Sequence, residues 1–176
     1  NPDNWGYEIG GHGFGNNEDQ YYTDELENAY VKDGKLHIRA IKKECNNRHY
    51  TSARLTTYNR QSWTYGKFLI HAKLPKGKGT WPAIWMLSDA IKEGTRWPLC
   101  GEIDIMEHVG KDQDMIHFSL HSETYNHIKG TQKTAFFNIP DVSEEFHEYG
   151  IEWLEDSIEF FVDGKPINVD FNQRFI

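Results

Sequence analysis

The sequence predicts an all-β chain folded as a two-sheet antiparallel sandwich, and three observations carry that prediction. Apolar residues recur at alternate positions in short runs, the period of a strand with one buried face. Turn pairs such as Asp33-Gly34 and Asp163-Gly164 separate these runs at regular spacing. A single segment, residues 142–146, reads as helical, and it is short enough to be one turn. With 176 residues and 38% hydrophobic content, the chain can bury one core and is short for two, so residues 1–176 are read as a single domain.

Residues 1–23 read as loop, because Gly10, Gly11, Gly13 and Gly15 precede Asn16-Asn17 and no apolar alternation runs through them. Residues 29–42 read as a hairpin around Asp33-Gly34, with Leu36, Ile38 and Ala40 alternating with His37 and Arg39. Residues 54–58 and 65–74 continue the pattern, and Phe68, Ile70, Ala72 and Leu74 form one face of the second. After a Lys/Gly turn at 75–79, residues 81–87 are mostly apolar, as in a strand covered on both sides, with Trp85 in the core. Residues 102–108 and 116–122 read as strands joined by a polar turn at 111–114. Residues 149–154 and 158–162 pair around Glu155-Asp156, and Asp163-Gly164 turns into residues 166–169.

The segment Gly101-Glu-Ile-Asp-Ile-Met-Glu-His-Val-Gly110 places three acids inside an apolar strand. Alternation sends Glu102 and Asp104 to one face but Glu107 to the other. One extra residue between Asp104 and Glu107, a β-bulge, would bring all three carboxyls to the same face. Like charges side by side repel, and a solvated acidic patch would separate its acids by polar residues, whereas Ile103, Ile105 and Met106 are apolar. A pair of carboxyls flanking one bond is what glycoside hydrolysis needs.

Glu102-Ile-Asp104-Ile-Met-Glu107 resembles the active-site strand of glycoside hydrolase family 16, in the bulged form of its laminarinases. Further segments resemble the same family in its order: Gly13-Phe-Gly-Asn-Asn-Glu-Asp-Gln-Tyr-Tyr22, Tyr50-Thr-Ser-Ala-Arg54, Tyr65-Gly66, Thr80-Trp-Pro-Ala-Ile-Trp-Met-Leu87 and His147-Glu-Tyr-Gly-Ile-Glu-Trp153. The resemblance implies a β-jelly roll whose concave sheet forms a cleft for β-glucan. It implies retaining endo-hydrolysis of β-1,3 bonds in laminarin-type glucans, with mixed-linkage β-1,3/1,4-glucan cleavage or non-catalytic glucan binding as the alternatives. Glu102 is then the nucleophile, Glu107 the acid/base and Asp104 their support. It implies a substrate-binding set of Asn16, Asn17, Arg54, Trp81, Trp97 and His121, with His108, His117 and His127 structural or superficial. The family's domain extends beyond both ends of this sequence, so its terminal strands are expected to be missing here. Relatives hold a structural calcium through backbone oxygens; Gly34 matches one such position, and the terminal ligands would lie in the missing segments.

The remaining composition narrows the partners. A net charge of −8 without a Lys/Arg cluster argues against nucleic acid, and favours neutral over sulfated polysaccharide. No run of about 18 apolar residues is present to span a membrane as a helix. His117 and His121 are too far apart on a strand to share a metal, and no His-Glu-x-x-His or Cys/His cluster exists, so no catalytic metal and no required cofactor are expected. Cys45 and Cys100 read as two reduced thiols, with one bridge as the alternative. A mature or trimmed extracellular or periplasmic chain is expected, since the sequence opens at Asn1-Pro-Asp-Asn-Trp without a basic, apolar leader.

Overall fold

In a computed structural model that describes residues 1–167, the chain divides into two compact units, one of residues 1–62 and one beginning at Trp63. The predicted strand at 166–169 extends outside the described residues at 168 and 169. All-β architecture is met throughout, and the helical segment among the described residues is a 3-10 turn, Asp89–Ile91, capped by Ser88. The short turn expected near 142–146 is present, closed by the Glu144 and Glu145 N–H groups on Asp141 O at 2.9 and 3.0 Å, without continuing into a helix. There the backbone carbonyl of the fully buried Val142 accepts from the Leu74 N–H at 2.9 Å, which ties the turn to a distant segment.

The first unit is built from small sheets. β1 (Gly6–Glu8) pairs with β7 (Arg54–Thr56), and β2 (Gln20–Tyr22) pairs with β6 (Arg48–Ser52), which also pairs with β5 (Ile41–Cys45). β3 (Ala29–Lys32) and β4 (Lys35–Ile38) form the hairpin predicted around Asp33-Gly34. Two expectations are corrected here. Residues 1–23 are not all loop, because β1 and β2 find hydrogen-bond partners at residues 48–56, which a local reading cannot see. The β2–β6 pair is parallel, so the sheets are not uniformly antiparallel. The β5–β6 hairpin turns at Asn46-Asn47, both with positive φ (46° and 62°), a turn signal present in the sequence and missed. Asn28, fully buried, ties the unit together, accepting from Thr23 Oγ1 (2.6 Å) and donating to Arg39 O (3.0 Å) and Thr51 Oγ1 (3.1 Å). Leu36 and Ile38 are exposed, and the half-buried His37 between them stacks on Tyr30 at 4.8 Å.

The second unit is a sandwich of two four-stranded antiparallel sheets. One has the order β12-β11-β10-β9, comprising β9 (Ala83–Leu87), β10 (Glu102–His108), β11 (Met115–His121) and β12 (Lys133–Asn138). The other has the order β15-β14-β13-β8, comprising β8 (Gly66–Ala72), β13 (His147–Trp153), β14 (Ile158–Val162) and β15 (Lys165–Ile167). Their facing sides make one core, with Ile105, Met106, Ile116, Phe118 and Leu120 from the first and Tyr149, Ile151, Phe160 and Val162 from the second. Phe118 meets Phe160 edge to face at 5.5 Å. Burying each such side chain stabilises by about 1.5–3 kcal/mol. β12 was not predicted, because its Lys-Thr-Ala-Phe-Phe-Asn run barely alternates and pairs only through β11. Cys45 and Cys100 are both free thiols, as read.

β10 ends at a close approach. The Gly110 N–H donates to Thr80 O at 2.9 Å, and a Cβ there would lie 2.0 Å from Gly77 O, so no larger residue fits. This contact fixes the end of the acidic strand against the turn that leads into Trp81.

Candidate active site

On β10, Ile103 packs toward the core and sends Glu102 and Asp104 to the opposite face of the sheet. Against β11, Glu102 pairs with His121, Asp104 with Ser119 and Glu107 with His117. β11 advances two residues at each step, whereas β10 advances two and then three. The extra residue is a β-bulge, and the register against β9 breaks at the same place. Ile105 and Met106 both turn into the core, 2% and 1% exposed, and Glu107 returns to the face of Glu102 and Asp104. The sequence-predicted bulge is therefore present, at its predicted position.

Each acid has a held position. The Trp97 indole N–H donates to Glu102 Oε2. His121 Nε2 lies 3.3 Å from Asp104 Oδ2, and Asp104 is itself only 4% exposed. The Trp81 indole N–H donates to Glu107 Oε1 at 2.9 Å. Hydrogen bonding between the Glu102 and Asp104 side chains raises Glu102 and lowers Asp104, the sense of a Glu102 carboxyl donating to the Asp104 carboxylate. The structure thus gathers Trp81, Trp97 and His121 around the three acids, within the second unit.

Burial is the first cause of every shift in this cluster. It pushes Glu102 up to about 7, helped by the charge of Asp104, while Trp97 and His121 pull it back. It pushes Asp104 up as well, with the Glu107 charge adding to the effect. Glu107 is raised by burial and by Glu102, against the pull of the Trp81 donor. Burial lowers His121, so the imidazole beside Asp104 favours its neutral form despite the neighbouring carboxylates.

The other predicted binding residues lie in the first unit. Asn16 and Asn17 are exposed on a turn closed by hydrogen bonds from the Asn16 and Glu18 N–H groups to Gly13 O, at 2.8 and 3.3 Å, with Asn17 at φ 55°. Arg54 faces Glu8 across the β1–β7 pair and donates to its carboxylate, with its guanidinium 4.7 Å from the Phe14 ring. The surface salt bridge that the sequence allowed for Arg54 is therefore made, in a half-buried setting.

Three residues stand differently from the sequence reading. Trp85 is not core: it pairs with Asp104 across β9–β10, on the acidic face, while Ile84 and Met86 take the core side. Its apolar neighbours concealed this, because the face of a strand is set by register. His117 shares the acidic face beside Glu107 and meets the exposed ring of Phe136, its partner on the edge strand β12, edge to face at 4.8 Å. His127 stacks on Trp97 at 4.7 Å from a loop with no strand pattern to announce it. His108 is structural as read, fully buried with Nε2 2.7 Å from Gln113 O. Among the described residues no group of three or more His, Cys, Asp or Glu could hold a metal ion, and Gly34 sits exposed at the β3–β4 turn.

Residues 16–174 match the family model described as Glycosyl hydrolases family 16. The chain belongs to this family. A beta-glucanase from Rhodothermus marinus is 51% identical over 164 residues, covering 92% of this chain and 57% of that protein. A glucan endo-1,3-beta-glucosidase from Cryptopygus antarcticus is 39% identical, covering 98% of this chain and 65% of that protein. The X-ray structure of the laminarinase from Rhodothermus marinus superposes with a TM-score of 0.91 at 49% identity, over 94% of this chain and 67% of that one. The family-16 chain described here thus spans about three-fifths of the length of these two curated relatives.

Proposed function

We propose that this chain carries the catalytic centre of a retaining endo-β-1,3-glucanase that cleaves laminarin-type β-glucan. The observation that carries the reading is the bulge that turns Glu102, Asp104 and Glu107 to one face, each met by an indole or imidazole nitrogen. Glu102 is the nucleophile: its carboxylate bonds to the anomeric carbon as the glycosidic C–O bond breaks, and Glu107 gives its proton to the leaving oxygen. Glu107 then takes a proton from water as the water oxygen attacks the same carbon and the ester to Glu102 breaks. Asp104 is the most deeply buried of the three acids and lies between the other two, and its charge and hydrogen bonding are proposed to support both.

Trp81 and Trp97 are proposed to meet sugar faces as well as gripping carboxylates, with His121 beside the cleaved bond. Asn16, Asn17 and Arg54 are proposed to bind further sugar hydroxyls, a role that suits the planar donor fork of arginine. The family match runs across both units, which supports reading them as parts of one jelly-roll catalytic domain. Two carboxyls supply all the chemistry, so no cofactor is invoked, and a polysaccharide substrate supports action outside the cell.

The test is reducing-sugar release from laminarin and from mixed-linkage β-glucan by the wild type, Glu102→Ala and Glu107→Ala. Expected is release from laminarin that falls by at least about a hundredfold in both variants, since acid–base catalysis alone supplies about 10²–10⁴. Full activity in Glu107→Ala would overturn the assignment. Release from the mixed glucan alone would keep the mechanism and change the linkage.

A further inference from the structure

Three rings form a cluster against the acids. Trp97 lies 5.5 Å from His121 and 4.7 Å from His127, stacked on the latter at 30°, and the two imidazoles are 5.5 Å apart. Trp97 reaches Glu102 by its N–H and His121 reaches Asp104. His127 reaches the acids through these rings.

An exposed histidine on a loop could stack by chance, but this loop is built to present it. Asn126, 1% exposed, donates from Nδ2 to Ser122 O and Glu123 O, both at 3.1 Å, and accepts from the Lys129 N–H at 3.1 Å. Its backbone exchanges hydrogen bonds with Thr131, whose hydroxyl also donates to Thr124 O at 2.8 Å. The carbonyl of His127 itself accepts from the Gly130 N–H at 3.1 Å, and Gly130 takes φ 65° to close that turn. Buried polar groups this fully paired fix the backbone on either side of them. The residue immediately after the clamp is thereby held over the indole. Burial and the neighbouring His121 both disfavour the charge on His127, which suits an imidazole acting as a flat face.

We propose that His127 is a positioning residue: stacked on Trp97, it keeps the indole N–H aimed at the Glu102 carboxylate. The inference rests on the reading of Glu102 as nucleophile, and it concerns a residue that touches neither substrate nor acid in the reaction. Without the stack the indole can rotate about its side-chain bonds, and the donor that favours ionised Glu102 is lost for part of the time. The loss should fall on the chemical step more than on binding.

Two measurements on the full chain test it, with His127→Ala and His127→Phe. In kinetics on laminarin, His127→Ala is expected to lower kcat about tenfold, or about 1.4 kcal/mol, with KM changed less than about twofold, and His127→Phe to restore most of it. Unchanged kcat in His127→Ala, a rise in KM alone, or equal damage in both variants would overturn the proposal. The second readout needs no turnover. The Trp97 indole N–H resonance, followed with pH, reports the ionisation of Glu102; its midpoint should move upward in His127→Ala and stay in His127→Phe. An identical resonance and midpoint in His127→Ala sinks the proposal even where the chain cleaves no glucan. A moved midpoint without glucan cleavage keeps the positioning role and removes the proposed function.

Discussion

Ile105 and Met106 are consecutive in the chain, yet both point into the same core, 2% and 1% exposed. Regular strand pleating forbids that arrangement, and the bulge permits it. The energy that holds the bulge is therefore the burial of these two side chains, and the site depends on it. Met106→Ala is expected to cost about 2–5 kcal/mol and lower Tm by about 10 °C, while Met106→Leu stays within about 1.5 kcal/mol of wild type. Thermal melts decide it. A loss below about 0.5 kcal/mol in the alanine variant would mean that the bulge is held by something else.

The acid limb of activity should belong to Glu102. Its carboxyl is pushed up to about 7, and the charge of Asp104 is the second cause after burial. Asp104→Asn removes that charge and leaves an amide able to donate to Glu102, so both changes favour ionised Glu102. The acid limb of kcat/KM is expected to move to lower pH, with lower maximal activity. A limb that stays in place, measured between pH 4 and pH 9, would contradict the coupling.

The alkaline limb should belong to Glu107, the proposed proton donor. Its pKa is raised by burial, and the Trp81 N–H at 2.9 Å opposes that rise by stabilising the carboxylate. Trp81→Phe keeps an aromatic face but removes the donor. Expected is an alkaline limb displaced to higher pH, with a KM change of threefold or less if the ring face meets sugar. Displacement to lower pH would show that the hydrogen bond serves the protonated form.

Stability should fall as pH rises through this site's titration. Unfolded Glu102 ionises near 4.5 and folded Glu102 at about 7. Between these values the unfolded chain has released a proton that the folded chain retains, so raising pH favours unfolding until about 7, above which the penalty is complete. Glu102→Gln removes the titration. Its Tm should match wild type near pH 4 and exceed it by several degrees at pH 8. A difference that does not grow between those limits would show that the burial of Glu102 costs nothing.

Much of this was legible in the chain. The all-β class follows from alternation and turn pairs, which are local properties. The bulge was legible because the spacing of Glu102, Asp104 and Glu107 offers no other way to put three acids on one face beside apolar neighbours. What stayed hidden depended on pairing. β1 and β2 are three residues long and owe their existence to partners about thirty or more residues away. The face of Trp85 was hidden too, since its neighbours Ile84 and Met86 are as apolar as it is, and only pairing with Asp104 tells them apart.

By itself, then, the sequence determined strand periodicity, the carboxylate strand and the type of side chain available at each point, because those are set by residues within a few positions of one another. The tertiary structure alone decided which ring nitrogen meets which acid: Trp97 at Glu102, His121 at Asp104, Trp81 at Glu107. It also decided that burial would raise all three carboxyls, because desolvation is a property of everything packed around a group, and those atoms come from β9, β11 and the loops between them.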